Sequence, residues 1–214
     1  MIRSALLVVS AVSLLGCHVL DGGPEVSETR TVEAFTRLRV DDGIPAKWSP
    51  GAPQVTLNAP QKVVENLETV VKDGQLIVRL KPGVIVNSFD QGTEVLITGA
   101  QPTALEATGG SELSATGLDA SPLRVNASGG SRVTLGGRAA DLRLGVSGAS
   151  KVSALQLAAE VVSVDVSGAS TAEVSASTTV EGSVSGASRV VVSGAADVTR
   201  VSTTGASSLS HAAQ

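Results

Sequence analysis

The chain has 214 residues, of which 17 % are charged, with 16 Lys+Arg against 20 Asp+Glu and a formal net charge of −4. This length holds one domain with a sizeable core, and 42 % hydrophobic residues exclude a disordered chain. The acidic balance, with no basic cluster interleaved with aromatics, excludes a nucleic-acid surface that neutralises phosphates and stacks bases. Phe35, Trp48 and Phe89 are the only aromatics, so everything after residue 89 builds its interior from Val, Leu and Ala.

The chain opens on "MIRSALLVVSAVSLLGC": one positive residue, Arg3, an apolar run over residues 5–15, then Gly16 and Cys17. The run is shorter than the ~20 residues of a membrane-crossing helix and has the layout of a secretory signal. Leu14-Leu15-Gly16-Cys17 resembles the bacterial lipobox, in which a small residue precedes a cysteine that is acylated and becomes the mature N-terminus. Cys17 is the only cysteine; it has no partner for an internal disulfide, and acylation accounts for it. The alternatives are a signal cleaved elsewhere or a short uncleaved anchor. Residues 1–16 are thus expected to be a lipoprotein leader and Cys17 the lipidation site. The membrane becomes a partner, and the location is the bacterial cell envelope, periplasmic or on the outer membrane and its surface. Several acyl chains anchor durably, each buried methylene adding ~0.8 kcal/mol. Residues 17–30, "CHVLDGGPEVSETR", read as a polar tether.

Residues 31–100 read as a section of short strands. "FTRLRV", "QVTLNA", "NLETVV", "QLIVRL", "GVIVNS" and "TEVLITG" tend to alternate apolar with polar residues and are separated by Asp-Gly, Pro-Gly and Gly-Ala breaks. "VVKDGQLIVRL" predicts a hairpin around Lys72-Asp73-Gly74. "PQKVVENL" is the one candidate helix, with Pro60 at its start. Phe35 and Trp48 read as core residues.

Residues 101–214 repeat one phrase six times: "ATGGS" from residue 107, "ASGGS" from 127, "VSGAS" from 146, 166 and 184, and "TTGAS" from 203. The first glycines, Gly109, Gly129, Gly148, Gly168, Gly186 and Gly205, are 18 to 20 residues apart. Two positions after each sits Ser111, Ser131, Ser150, Ser170, Ser188 or Ser207, and a Ser or Thr always precedes. On the N-terminal side, Leu105, Val125, Leu144 and Val164 stand four before the glycine, and the intervening positions hold Glu106, Asn126, Asp165 and Ser183. On the C-terminal side, Leu113, Val133, Val152 and Val190 alternate with the charged residues Glu112, Arg132, Lys151 and Arg189. Period two on both sides of a Gly-small-Ser corner means two half-buried strands joined by a tight bend.

A period in this range means a stacked array. The fold predicted is all-β: a right-handed parallel β-helix with coils of about 19 residues, preceded by the section of short strands. A leucine-rich horseshoe lacks its Leu and Asn signature, and a sandwich has no use for one corner written six times. Stacking supplies what a single coil lacks, since each coil pairs its neighbour's backbone groups and covers its aliphatic face. The corner then accepts only residues that tolerate close approach or an unusual backbone angle, and its hydroxyls hydrogen-bond the turn. The Gly and Ser rows are therefore read as structural turns in preference to a ligand-binding face.

The stretch "FTRLRVDDGIPAKWSPGAPQVTLNAPQKVVENLETVVKDGQLIVRL" at residues 35–80, with the serial Ser-Gly-Ala-Ser corners, resembles the bacterial family of auto-transporter adhesin head GIN domains. The resemblance implies a secreted or lipid-anchored protein with no established activity and an adhesin-like role.

Enzyme chemistry finds little support in the residues. Asp119, Asp141, Asp165 and Asp197 occupy unlike positions of the repeat, and Glu106 and Glu112 are scattered surface charges. No Asp-x-Asp-x-Asp-Gly calcium loop occurs, His18 and His211 sit near opposite ends of the chain, and no Gly-x-Ser-x-Gly elbow accompanies the serines. No metal, cofactor or catalytic residue is expected. The function expected is a non-enzymatic, lipid-anchored envelope protein whose β-helix is a structural or binding surface toward an envelope protein or a glycan; the alternative is a degenerate polysaccharide-active β-helix enzyme. Arg132, Lys151 and Arg189 are the candidate surface contacts, with screened surface charges as the plainer reading. The last coil offers an open strand edge, expected to be covered by the tail at residues 208–214 or by a second copy in a homo-oligomer.

Overall fold

In the computed structural model, which describes residues 18–19, 23–86, 89 and 92–212, each Gly-small-Ser phrase turns the chain from one strand of a parallel stack into the next. Cys17 and the leader lie outside the described residues. The strands in chain order are β1 (His18–Val19), β2 (Glu25–Thr31), β3 (Arg37–Val40), β4 (Pro45–Pro50), β5 (Gln54–Pro60), β6 (Leu67–Lys72), β7 (Gln75–Leu80), β8 (Val84–Ile85) and β9 (Glu94–Gly99). There follow β10 (Ala104–Ala107), β11 (Glu112–Asp119), β12 (Leu123–Ala127), β13 (Arg132–Val146), β14 (Lys151–Val166), β15 (Thr171–Val184), β16 (Arg189–Ser193), β17 (Asp197–Thr203) and β18 (Ser208–His211). A short helix, α1 (Gln61–Asn66), lies between β5 and β6.

The corners divide the stack into two columns of strands. Ahead of the corner, β3, β10, β12 and the second halves of β13, β14 and β15 pair in parallel, ending on β17. After it, β4, β11, the first halves of β13, β14 and β15, then β16 and β18 pair in the same way. The sheet is thereby curled into a β-solenoid. Its register repeats the sequence period: Arg132 pairs with Lys151, Lys151 with Thr171 and Thr171 with Arg189. Alternation sets the faces, as in β12, where Leu123, Val125 and Ala127 are buried while Arg124 and Asn126 are exposed. Just past the first column the ladder continues through Ser128, Ser147, Ser167 and Ser185, whose N–H groups donate at 2.8–3.0 Å to carbonyls of the preceding coil.

Parallel pairing also runs back across residue 100. β3 and β4 form a coil of their own, turned by Asp41-Asp42-Gly43 with φ of 63° at Asp42 and 77° at Gly43. β7 and β9 add one more parallel strand to each column. The direction then reverses: β6 pairs antiparallel with β7, β5 with β9 and β2 with β5, which closes this end of the stack. One hydrophobic core runs through both sections, with Phe35 and Trp48 each 1 % exposed at the closed end and Val and Ala filling the later coils. The β6–β7 hairpin turns at Asp73 and Gly74, and α1 begins directly after Pro60, as the sequence predicts.

Two expectations need correction. The stretch read as a tether is, from Glu25 onward, strand β2, paired residue for residue with β5. Its side chains hold it there: Ser27 Oγ donates to Asn58 Oδ1 at 2.7 Å, and the Arg30 guanidinium donates to the carbonyls of Leu67 at 2.7 Å and Val64 at 3.1 Å. Without β2, the edge of β5 would be open. At the other end, residues 208–211 do not cover the last strand edge. They are that edge, because β18 continues the register of β16.

Candidate functional site

The six glycines have φ between 65° and 78°, and each sits on the corner of the coil before it. A Cβ on Gly129 or Gly148 would come 3.0 Å from the backbone nitrogen of Gly109 or Gly129, and one on Gly186 would come 2.5 Å from the carbonyl oxygen of Gly168. Backbone angle and contact therefore exclude a side chain together. In the first three corners the next residue is also left-handed, as Gly110, Gly130 and Ala149. In the later corners it is not. There the N–H of Ala187 and Ala206 donates at 2.8 Å to the carbonyl of the preceding coil's glycine.

The serines beneath the corners point inward. Ser111, Ser131, Ser150, Ser170 and Ser188 are all at most 2 % exposed, and Ser207 is half-buried. Their hydroxyls serve the backbone. Ser111 Oγ and Ser131 Oγ each donate at 2.7 Å to the carbonyl three residues earlier, while Ser150 Oγ accepts the N–H of Ser131 at 3.1 Å and Ser188 Oγ that of Ser170 at 3.4 Å. The Ser170 hydroxyl is the exception, buried without a partner among the described residues. In the earliest corner the apolar Ile44 stands in the serine's register, and Asp41 binds side chains, accepting from Thr108 Oγ1 at 2.5 Å and from Arg39 Nε at 2.9 Å. That hydrogen bond holds the Arg39 proton more tightly than usual.

Chemistry that could meet another molecule stands on the outer faces. Glu112, Arg132, Lys151, Thr171 and Arg189 form one exposed or half-exposed column after the corner, so the three cations do align. Lys151 pairs with Glu173 at 3.0 Å; among the described residues Arg132 and Arg189 have no ion pair. Asp119 stands opposite Arg138 and is paired with it at 3.0 Å. Asp141 and Asp197, read from the sequence as unlike positions, share a column, but Val161 and Thr179 separate them by three strand spacings, about 14 Å. Among the described residues no three His, Cys, Asp or Glu side chains cluster as a metal site would require, and no helix is long and apolar enough to cross a membrane.

Two hollows were not anticipated. One, of about 660 Å³, crosses five coils at the bend opposite the corners and is lined by small residues such as Ser121, Ala140, Ala158, Ala176 and Gly194. The other, of about 270 Å³, lies over Gly145 between Asn126 and Asp165, with Arg124 and Arg143 beside it. The only trace of it in the sequence is Gly145 itself, where neighbouring coils carry Asn126 and Asp165.

A stack whose buried hydroxyls serve its own turns and whose charges stand on its outer faces defines a structural or binding protein built as a β-solenoid. The chain belongs to the family described as "putative auto-transporter adhesin, head GIN domain", whose model matches residues 34–196. Solved structures share the fold. A putative adhesin from Bacteroides fragilis is 16 % identical, with a TM-score of 0.72 over 88 % of this chain and 97 % of that one. A putative lipid binding protein from Parabacteroides distasonis is 13 % identical, with a TM-score of 0.57 over 92 % and 100 %. A putative adhesin from the same species is 18 % identical, with a TM-score of 0.52 over 89 % and 98 %. No curated protein matches the chain.

Proposed function

We propose that the protein is a lipid-anchored component of the bacterial cell envelope, adhesin-like and without catalytic activity, whose solenoid is a rigid binding surface. One observation carries this reading: the serines buried along the later coils sit at the corners, and the side chains left for partners stand in register on the outer faces. Family membership and neighbours named as adhesins support it. Arg132, Lys151 and Arg189 are contacts on one face, acylated Cys17 supplies the anchor, and a second copy pairs along the outer edge of β18.

The test combines location, capture and chemistry. The full-length protein should fractionate with membranes and incorporate labelled acyl chains, and Cys17→Ala should do neither. Wild-type protein should retain material from its own envelope and leave acidic and neutral glycans uncleaved. Cleavage of any glycan would overturn the non-enzymatic reading, and membrane association of Cys17→Ala would overturn the anchor.

A further inference from the structure

In the first column of strands, the outward residues nearest the corner are Glu106, Asn126, Gly145, Asp165 and Ser183, in register on β10 to β15. Gly145 places no side chain in that row. A Cβ on it would lie 2.6 Å from Asn126 Oδ1, so the Asn126 amide leans over bare backbone. The hollow beside it, lined by Arg124, Arg143, Ser163 and Asp165, is continuous through Gly145 with a second of about 270 Å³ that reaches Ser128, Ser147 and Ser167. Together they form a groove with β13 as floor and β12 and β14 as walls. It runs over residues 143–147, about 13 Å at ~3.3 Å per residue, between walls two strand spacings, about 10 Å, apart.

The groups around the groove are strongly asymmetric. Arg124 and Arg143 face each other in register at one end, an arrangement of like charges that costs stability. Arg143 is tied to Asp141 at 3.0 Å. Among the described residues, the Arg124 guanidinium and the Asn126 amide have no hydrogen-bond partner at all. Asp165 accepts from Ser183 Oγ at 3.1 Å and retains free lone pairs. The other end carries only hydroxyls.

We propose that this groove binds a carboxylated sugar within a glycan chain, an assignment that rests on the binding-surface reading above. Arg124 and Arg143 take the carboxylate through paired N–H donors. Ring hydroxyls, which both donate and accept, match Asn126, Asp165 and the serines, and adjoining sugars extend toward Ser147. A free amino acid would use the arginines and Asp165 but leave the serine end empty. A phosphate would bring more negative charge against Asp165. With no aromatic ring to stack on, affinity rests on charge-assisted hydrogen bonds, so it is modest and falls as salt rises.

Ligand-observed NMR on full-length protein in detergent tests the assignment with four probes: a galacturonic acid trisaccharide, the matching galactose trisaccharide, glycine and inorganic phosphate. The uronate should bind, more weakly at high salt, and the other three should not. Gly145→Val fills the groove without backbone strain and should abolish binding. Arg124→Gln should weaken it by about tenfold or more, while Lys72→Gln, exposed at the end of β6 in the closed end of the stack, should leave it unchanged; equal thermal midpoints establish that all three are folded. Uronate binding that survives Gly145→Val and Arg124→Gln, equal binding of the galactose trisaccharide, preference for glycine or phosphate, or no uronate binding would each overturn the assignment. Capture of envelope material by the Gly145→Val protein would show in addition that the general binding reading stands while the groove falls.

Discussion

The two bends of each coil are built on opposite rules. At the corner, backbone rests directly on backbone, with would-be Cβ contacts of 3.0–3.1 Å at Gly109, Gly129, Gly148 and Gly168. At the far bend the register slips, between Ala115 and Leu118, between Thr134 and Gly136, and again between Ala154 and Ala158. The far bend demands glycine at unlike positions, Gly117, Gly137 and Gly194, and a groove opens along it. Variation in coil length is taken up there: β13, β14 and β15, each spanning a far bend, have 15, 16 and 14 residues, while the corner flanks pair without a break. A repeat is therefore strict where chains touch through their backbones and loose where side chains separate them.

The largest effect should come from breaking the corner. Gly148→Val puts a β-branched residue at φ 65° and its Cβ 3.0 Å from the Gly129 nitrogen, and should cost about 2 to 5 kcal/mol in urea unfolding. The matched change at the far bend, Ala158→Val on an exposed position, should stay within about 0.5 kcal/mol. Next comes the serine row. Ser150→Ala strands the buried N–H of Ser131 and should cost about 1 to 3 kcal/mol, whereas Ser170→Ala, whose hydroxyl has no partner, should be close to neutral. Smaller and opposite in sign, Ala149→Gly should stabilise by about 0.5 to 1 kcal/mol, because Ala149 has φ 70° where the two preceding corners have glycine.

The smallest effect concerns acid. Asp197, beside the far bend of the last coil, is held below the usual carboxylate range, first by the Thr199 backbone N–H and then by the Thr199 hydroxyl. A folded pKa below the unfolded one contributes stability that is present above the unfolded pKa and lost as pH falls through the folded one. Asp197→Asn should therefore lower stability slightly at neutral pH and leave it unchanged in acid below the folded pKa, so that the acid limb of a stability-against-pH curve flattens.

The corners were legible in the sequence because one cause, backbone contact, acts at every coil and leaves the same residues behind. The alternation around them placed Leu105, Val125 and Leu144 inside and aligned Arg132, Lys151 and Arg189 outside. The coil of β3 and β4 was not legible as a member of the stack: its corner is Asp41-Asp42-Gly43, and residues 51–103 separate it from the next. Asp42 reaches the same left-handed angle as the glycines, and Ile44 stands where the later corners have serine. Strand β2 was hidden because "EVSETRT" has a single apolar residue, Val26, and is held by cross-strand pairing and Arg30 in place of burial. The groove over Gly145 was hidden for a different reason. A missing side chain becomes a site only when the residues above and below it are known, and Asn126 and Asp165 lie some twenty residues away on either side.

The account depends on coils stacked in one register, which pulsed dipolar spectroscopy can measure directly. In a Cys17→Ser background, spin-label pairs joining Glu112 to Thr171, to Arg189 and to Ser208 span three, four and five strand spacings, so distances near 14, 19 and 24 Å are expected, rising by about 5 Å per coil. Distances that fail to rise in that order, or that rise by unequal steps, would mean the corners are not piled one on another.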